Sequence, residues 1–175
     1  MATFIRKIKN CIKYILGVHN YDRVGEAKIR KMYRLYARGG WFNKFRAMRL
    51  CNQIRRDYNV NVHPAAKVGS NLYIAHCYGL GIGKTAIIGD NVRIYPNVHI
   101  AASRPIGARK GRRHAKIGNN CILGINSTIL GAVEIGDNVI IGANALVTKD
   151  IPANSIVTGV NQIRSRVGNE FSSKE

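Results

Sequence analysis

The sequence predicts a mainly β chain whose larger part is a parallel β-helix of six-residue repeats, preceded by a basic α-helical segment. Three observations carry this: aliphatic residues at a period of six from residue 62 onward, a period of three to four before it, and one basic interruption of the repeat. The series reads Val62, Val68 and Ile74, then, after a slip of two residues, Ile82, Ile88, Ile94 and Ile100. It resumes at Ile117 and continues through Leu123, Ile129, Ile135, Ile141 and Val147. Glycine often follows the aliphatic residue, as at Gly89, Gly118, Gly136 and Gly142, and four places beyond it stands a small or aliphatic one such as Val92, Val98, Cys121, Ser127, Val139 or Ala145. Each six-residue unit is read as one short strand plus a turn, and three units close a triangular coil. The aliphatic side chain points inward and stacks on its equivalents above and below, while Gly, or Asn as at Asn91, Asn120 and Asn138, eases the corner. One coil cannot bury its own core, so stability comes from stacked neighbours.

Residues 1–57 read as helical and hold 15 of the 28 Lys and Arg residues. A first amphipathic pattern (Phe4, Ile5, Ile8, Cys11, Ile12, Ile15, Leu16) ends at Gly17. A second runs from about Glu26 to Ala37, and Gly39-Gly40 breaks it. A third runs from Trp41 to Asp57, with Phe42, Phe45, Met48, Leu50 and Ile54 expected on its buried face. The chain therefore divides into a helical region (1–57), a β-helix (58–160) with a loop at 101–116, and a tail (161–175). That loop carries Arg104, Arg109, Lys110, Arg112, Arg113 and Lys116 and no acidic residue, so it is expected to wall a site for an anionic ligand.

A net charge of +19 implies anionic partners: nucleic acid, a membrane surface or a phosphorylated ligand. No helix-turn-helix, zinc-finger or aromatic RNA-binding motif is present, so nucleic acid is not expected. The segment FIRKIKNCIKYIL could lie on an anionic membrane surface or pack its apolar face on the protein. No secretory leader or spanning run is seen, and the expected location is the cytoplasm or the inner face of the cell membrane. Cys11, Cys51, Cys77 and Cys121 form no CxxC pair and read as reduced thiols.

The stretches NVHPAAKVGSNLYIAHCYGLGIGKTAIIGDNVRIYPNVHI and RRHAKIGNNCILGINSTILGAVEIGDNVIIGANALVTKDIPANSIVTGV resemble the serine O-acetyltransferase family of hexapeptide-repeat acyltransferases, in particular its capsule and exopolysaccharide branch. The resemblance covers residues 58 to 164. It implies a left-handed helix, a homotrimer with acetyl-CoA bound between subunits, and direct transfer of acetyl to a hydroxyl. It aligns His76 with the catalytic histidine, and Arg113 and His114 with the pair that holds the acceptor. It also places Ala102, Ile125 and Ala143 along the acetyl-CoA groove, with Lys149 and Arg164 as phosphate contacts. Two positions depart from the family. Asn61 stands where an aspartate orients the catalytic histidine, and Ala75 where an aspartate helps hold the amino acid.

Attack of an alcohol on a thioester needs a base of near-neutral pKa, the role expected of His76. Ala75 leaves an ammonium without a matching carboxylate, which favours a saccharide acceptor over serine. A serine acetyltransferase and a non-catalytic β-helix scaffold are the alternatives. No metal is expected: His76, His99 and His114 are separated by 23 and 15 residues, unlike the close histidine pair of zinc-dependent β-helix enzymes.

Overall fold

A computed structural model of the chain describes residues 21–103 and 111–165. It is a left-handed parallel β-helix carrying two α-helices at one end. The amphipathic segment expected over residues 4–16 lies outside the described residues, as do Arg104, Arg109 and Lys110 of the basic loop.

The strands are two to four residues long and stack into three parallel sheets, one for each side of the triangular coil. On the first side, Asn61, Gly81, His99, Thr128 and Leu146 are in register. Beside them, Val62, Ile82, Ile100, Ile129 and Val147 form an inward stack, each at most 2% exposed. Ile88, Ile117, Ile135 and Ile151 form the second inward stack, and Ile74, Ile94, Leu123, Ile141 and Val157 the third. Fully burying each such side chain is worth about 1.5–3 kcal/mol, so the period-six aliphatics are the core.

The corners are fixed by asparagine. Asn71, Asn91, Asn120, Asn138 and Asn154 all have φ near +55°. Each of the first four donates its Nδ2 to the next residue's Oδ1 at 3.0–3.2 Å. A second ladder joins Asn97 to Asn126 and Asn126 to Asn144 at 3.0 and 3.1 Å. Asn tolerates the left-handed region, and the amide ladder satisfies its side chain along the edge.

Helix α1 (Tyr21–Ala37) and helix α2 (Trp41–Tyr58) form a hairpin through Gly39 and Gly40. Helix α1 begins five residues earlier than the hydrophobic pattern suggested, and its interior contains Gly25. The buried face of α2 also differs from expectation. Ala47, Cys51, Ile54 and Tyr58 are inside, whereas Trp41, Phe42, Phe45 and Met48 are 80%, 62%, 48% and 43% exposed. Spacings of four, three and four residues put 47, 51, 54 and 58 on one stripe, which α1 and the first coil cover; Phe42, Phe45 and Met48 point elsewhere. The Cys51 thiol donates to the Val62 carbonyl at 3.2 Å, tying α2 to the first coil. Lys28 and Asp57 join the two helices at 2.9 Å.

The chain beyond Val160 is not all tail. Gln162–Ser165 pairs antiparallel with Ser155–Thr158 at the edge of the third sheet.

Candidate active site

The two-residue slip between Ile74 and Ile82 enlarges one corner of the first coil, and His76 sits in it. Its side chain is exposed and its φ is +47°. The other ten described non-glycine residues with positive φ are all asparagine. A histidine held in this conformation departs from the asparagine that fills the other non-glycine left-handed positions, as functional residues often do. The corner is buttressed from behind. Ala75 and Cys77 are buried on either side of His76. Gly25 of α1 comes so close to Cys77 that a Cβ there would lie 2.8 Å from both its Cβ and its Sγ, and 3.2 Å from the Tyr58 ring. The glycine inside α1 therefore costs helix propensity and permits contact with the residue next to His76.

Asn61 is exposed on the first strand, and its Oδ1 accepts from the Arg55 guanidinium at 3.1 Å. An aspartate there would form a charge-assisted pair with the same arginine. Next along that side, His99 lies over Gly81. Among the described residues no group of three His, Cys, Asp or Glu side chains could hold a metal ion.

Arg113 and His114 follow the described end of the basic loop, and Thr85 holds both. The Thr85 Oγ1 accepts the backbone N–H of Arg113 at 2.9 Å and that of His114 at 3.2 Å, and lies 2.8 Å from His114 Nδ1. The imidazole of His114 fills the space that a Cβ on Gly83 would take. His63 follows Val62, which pairs in register with Ile82, so it stands one coil away from Gly83. Its Nδ1 accepts the Ala65 N–H at 3.1 Å. Both histidines titrate below the ordinary histidine value. Burial is the main cause for each, with Lys84 beside His63, and Arg113 and then His63 beside His114, adding to it.

Arg112 has a different role from the one expected of the loop. Its guanidinium donates to the carbonyls of His114, Ala132 and Val133 and to Glu134 at 3.0–3.3 Å, pinning the returning chain. The sequence offered His63 only within a motif and Gly83 only as one of the glycines that follow the repeat aliphatics, and Thr85 not at all; the signal available was a histidine and a glycine at equivalent places on consecutive coils.

The residues expected along an acetyl-CoA groove fall on two corners. Ala102 and Lys149 share one, because Ala101 pairs with Leu130 and Ile129 with Val147. Ile125 and Ala143 share another, linked by the Asn144 N–H donating to the Ile125 carbonyl at 2.9 Å. Ala143 borders a shallow groove on the third side with Arg93, Tyr95, Ile122 and Ile140. Arg164 lies beyond it, opposite Ile156 on the closing hairpin. A groove of about 840 Å³ lies apart from these residues, between α1 and residues 64–72. Burial raises the titration of the Cys51 and Cys121 thiols, which suits inert core residues.

Residues 114–149 match the family model described as bacterial transferase hexapeptide (six repeats). A serine acetyltransferase of Staphylococcus aureus is 40% identical over 134 residues, covering 73% of this chain, and one of Staphylococcus epidermidis is 39% identical over the same length. The chain spans 62% of the length of these relatives. Among solved structures, the Neisseria gonorrhoeae serine acetyltransferase superposes with a TM-score of 0.69 at 34% identity, covering 85% of this chain and 54% of that one. The soybean serine acetyltransferase complexed with serine gives 0.70 at 31%, covering 83% and 57%. With its coil geometry and these relatives together, the chain belongs to the hexapeptide-repeat transferase family, on the side of it that holds the serine acetyltransferases.

Proposed function

We propose that the chain is an O-acetyltransferase that moves acetyl from acetyl-CoA directly to a hydroxyl, working in the cytoplasm as a homotrimer with its active sites between subunits. The observation that carries this is His76, an exposed imidazole with a left-handed φ that, among the described non-glycine residues, only asparagines share, buttressed by α1. His76 removes the proton of the acceptor hydroxyl as its oxygen bonds to the thioester carbonyl carbon. The tetrahedral intermediate collapses with cleavage of the C–S bond, and the proton passes to the departing CoA thiolate. General-base assistance of this kind is worth about 10²–10⁴-fold, and holding the two substrates in one cleft supplies more. A trimer suits the two separate corners: one subunit would offer Ala102 and Lys149, and its neighbour Ile125 and Ala143, to the same acetyl-CoA. Arg113 and His114 would hold the acceptor, and Arg164 would meet a phosphate.

Serine is the acceptor that the relatives named above favour, each being a serine acetyltransferase. A saccharide hydroxyl is the second reading, favoured by Ala75 and Asn61, which leave no carboxylate beside His76 in sequence or at the head of the first strand. Thiol release from acetyl-CoA, measured against L-serine and a saccharide panel, decides between them. Release with serine alone supports the first reading and release with a saccharide alone the second. No release with either returns the chain to a scaffold.

Contact with an anionic membrane also has support among the described residues. The Trp41 and Phe45 rings stack at 5.8 Å, and Arg46 and Arg49 lie over Phe42 and Phe45 on the exposed face of α2. Binding to phosphatidylglycerol vesicles at low salt, lost in Trp41→Ala/Phe45→Ala, tests it. Failure of the unaltered protein to co-sediment refutes it.

A further inference from the structure

We infer that Gly25 of α1 is a positioning residue for His76, so that the helical hairpin sets the geometry of the base. This deepens the proposed acetyl transfer and rests on that reading only for its kinetic consequence.

On this edge of the coil the later turns have four residues between their strands, 95–98, 124–127 and 142–145, and the ladder of Asn97, Asn126 and Asn144 runs through them. The first turn has six, residues 75–80. Gly79 takes the ladder position there: its φ is +66°, and a Cβ on it would collide with the Asn97 side-chain oxygen. The ends of the inserted stretch are held by the coil below. The Ala75 N–H donates to the Ile94 carbonyl at 2.9 Å, and the Tyr78 carbonyl accepts from the Asn97 N–H at 3.1 Å. His76 and Cys77 are the two residues between these anchors. Behind them lies α1, with Gly25 against the buried Cys77.

A Cβ on Gly25 would lie 2.8 Å from both the Cβ and the Sγ of Cys77. Ordinary contact needs about 3.5–4.0 Å, so a methyl group at 25 has to part the helix and the corner by about 0.7–1.2 Å. The helix is held at that point. Ile29 and Met32, four and seven residues on along the same stripe, are fully buried. Lys28, three residues on, pairs with Asp57 at 2.9 Å and lies 5.1 Å from the centroid of the Tyr58 ring. The inserted stretch therefore yields, and the shift at Cys77 reaches His76 through one peptide bond. A displacement of about 1 Å at a catalytic group costs about 10²-fold in rate. Alanine favours the helix itself over glycine, so a loss of rate on adding this methyl group comes from the corner and not from the helix.

The test uses the full-length protein in two backgrounds. Gly25→Ala should lower kcat about 10²-fold and leave the acetyl-CoA KM within about two-fold. In a Cys77→Gly chain both crowded atoms are gone and the Tyr58 ring, 3.2 Å from the new Cβ, has to give only slightly. There the same substitution should cost about three-fold or less, a coupling that a general loss of stability would not produce. A second readout needs no turnover. In 1H–13C spectra of the histidine rings, with the His76 signal identified by its loss in His76→Asn, Gly25→Ala should move His76 and leave His63 and His99 in place. In the Cys77→Gly background His76 should stay. Equal losses of kcat in the two backgrounds, or a His76 signal indifferent to Gly25→Ala, overturn the positioning role. So does a Gly25→Ala chain that loses its fold or shifts every histidine, which would make Gly25 a packing residue only. If the unaltered protein transfers acetyl to no acceptor, the proposed function fails while the ring signals still decide this inference.

Discussion

Replacing His76 by asparagine separates chemistry from architecture at the enlarged corner. The backbone there has φ +47°, where an ordinary L-residue costs about 1–2 kcal/mol and asparagine is exempt from most of that cost. Asparagine already occupies this conformation at ten other described positions. The His76 side chain is exposed, so little burial is lost with the ring. His76→Asn should therefore keep its Tm within a few degrees of the unaltered protein, since ~1 kcal/mol shifts a domain of this size by about 2–4 °C. His76→Gln removes the same imidazole without the left-handed tolerance and should melt lower by about that amount. Both variants lose the base, and kcat should fall by about 10²–10⁴-fold in each. The assays are thermal unfolding by circular dichroism and thiol release from acetyl-CoA with the acceptor identified for the unaltered protein. Retention of near-normal kcat by His76→Asn, with the fold intact, refutes the assignment of His76 as base.

Three further outcomes follow from the same geometry. Gly83→Ala puts a Cβ into the His114 ring, and displacing the ring should cost about 1–3 kcal/mol and raise the acceptor KM while acetyl-CoA binding is kept; an unchanged Tm and KM would show that the ring is not confined there. Because His63 and His114 titrate below their unfolded value, the unfolded chain binds more protons through the window just below pH 6.5. Their contribution to stability is complete above that pH and is lost as pH falls, so Tm should drop between pH 7 and pH 5, and His63→Gln/His114→Gln should flatten the drop. Asn120→Ala removes two ladder hydrogen bonds and places alanine at φ +55°, for a loss of about 2–4 kcal/mol. Asn120→Gly removes only the bonds and should lose roughly 1 kcal/mol less; equal melting of the two would mean that the corner conformation carries no cost.

The coil was legible because its signal repeats. A side chain that must point inward at every sixth residue leaves a period that no local exception hides, and Ile82, Ile100 and Ile129 stack as their spacing requires. Helix α2 was less legible. Its buried stripe is made of Ala47, Cys51, Ile54 and Tyr58, two of which are small, while larger apolar residues face outward. A pattern that weights side chains by hydrophobicity picks Phe42 and Phe45, but close packing of α2 against α1 and the first coil selects small residues instead. The reach of α1 back to Tyr21 was hidden for a related reason: a glycine in a helix lowers local propensity, and only its contact with Cys77 explains its place. His76 was visible through a motif. Thr85 was not, because what joins it to His114 is a separation of 29 residues, set by the loop and the coil circumference.

The antiparallel return of Gln162–Ser165 against Ser155–Thr158 bears on something other than catalysis. A parallel β-helix offers, at its last coil, a row of unpaired backbone donors and acceptors in register with a fresh coil, which is a template for end-to-end growth. Reversing strand direction at that rim changes the hydrogen-bonding pattern from parallel to antiparallel, so a further coil of the same kind no longer matches it. At the opposite rim α2 lies against the first coil, with Cys51 bonded to the Val62 carbonyl. Each described rim thus carries structure that does not continue the repeat, which works against end-to-end growth there.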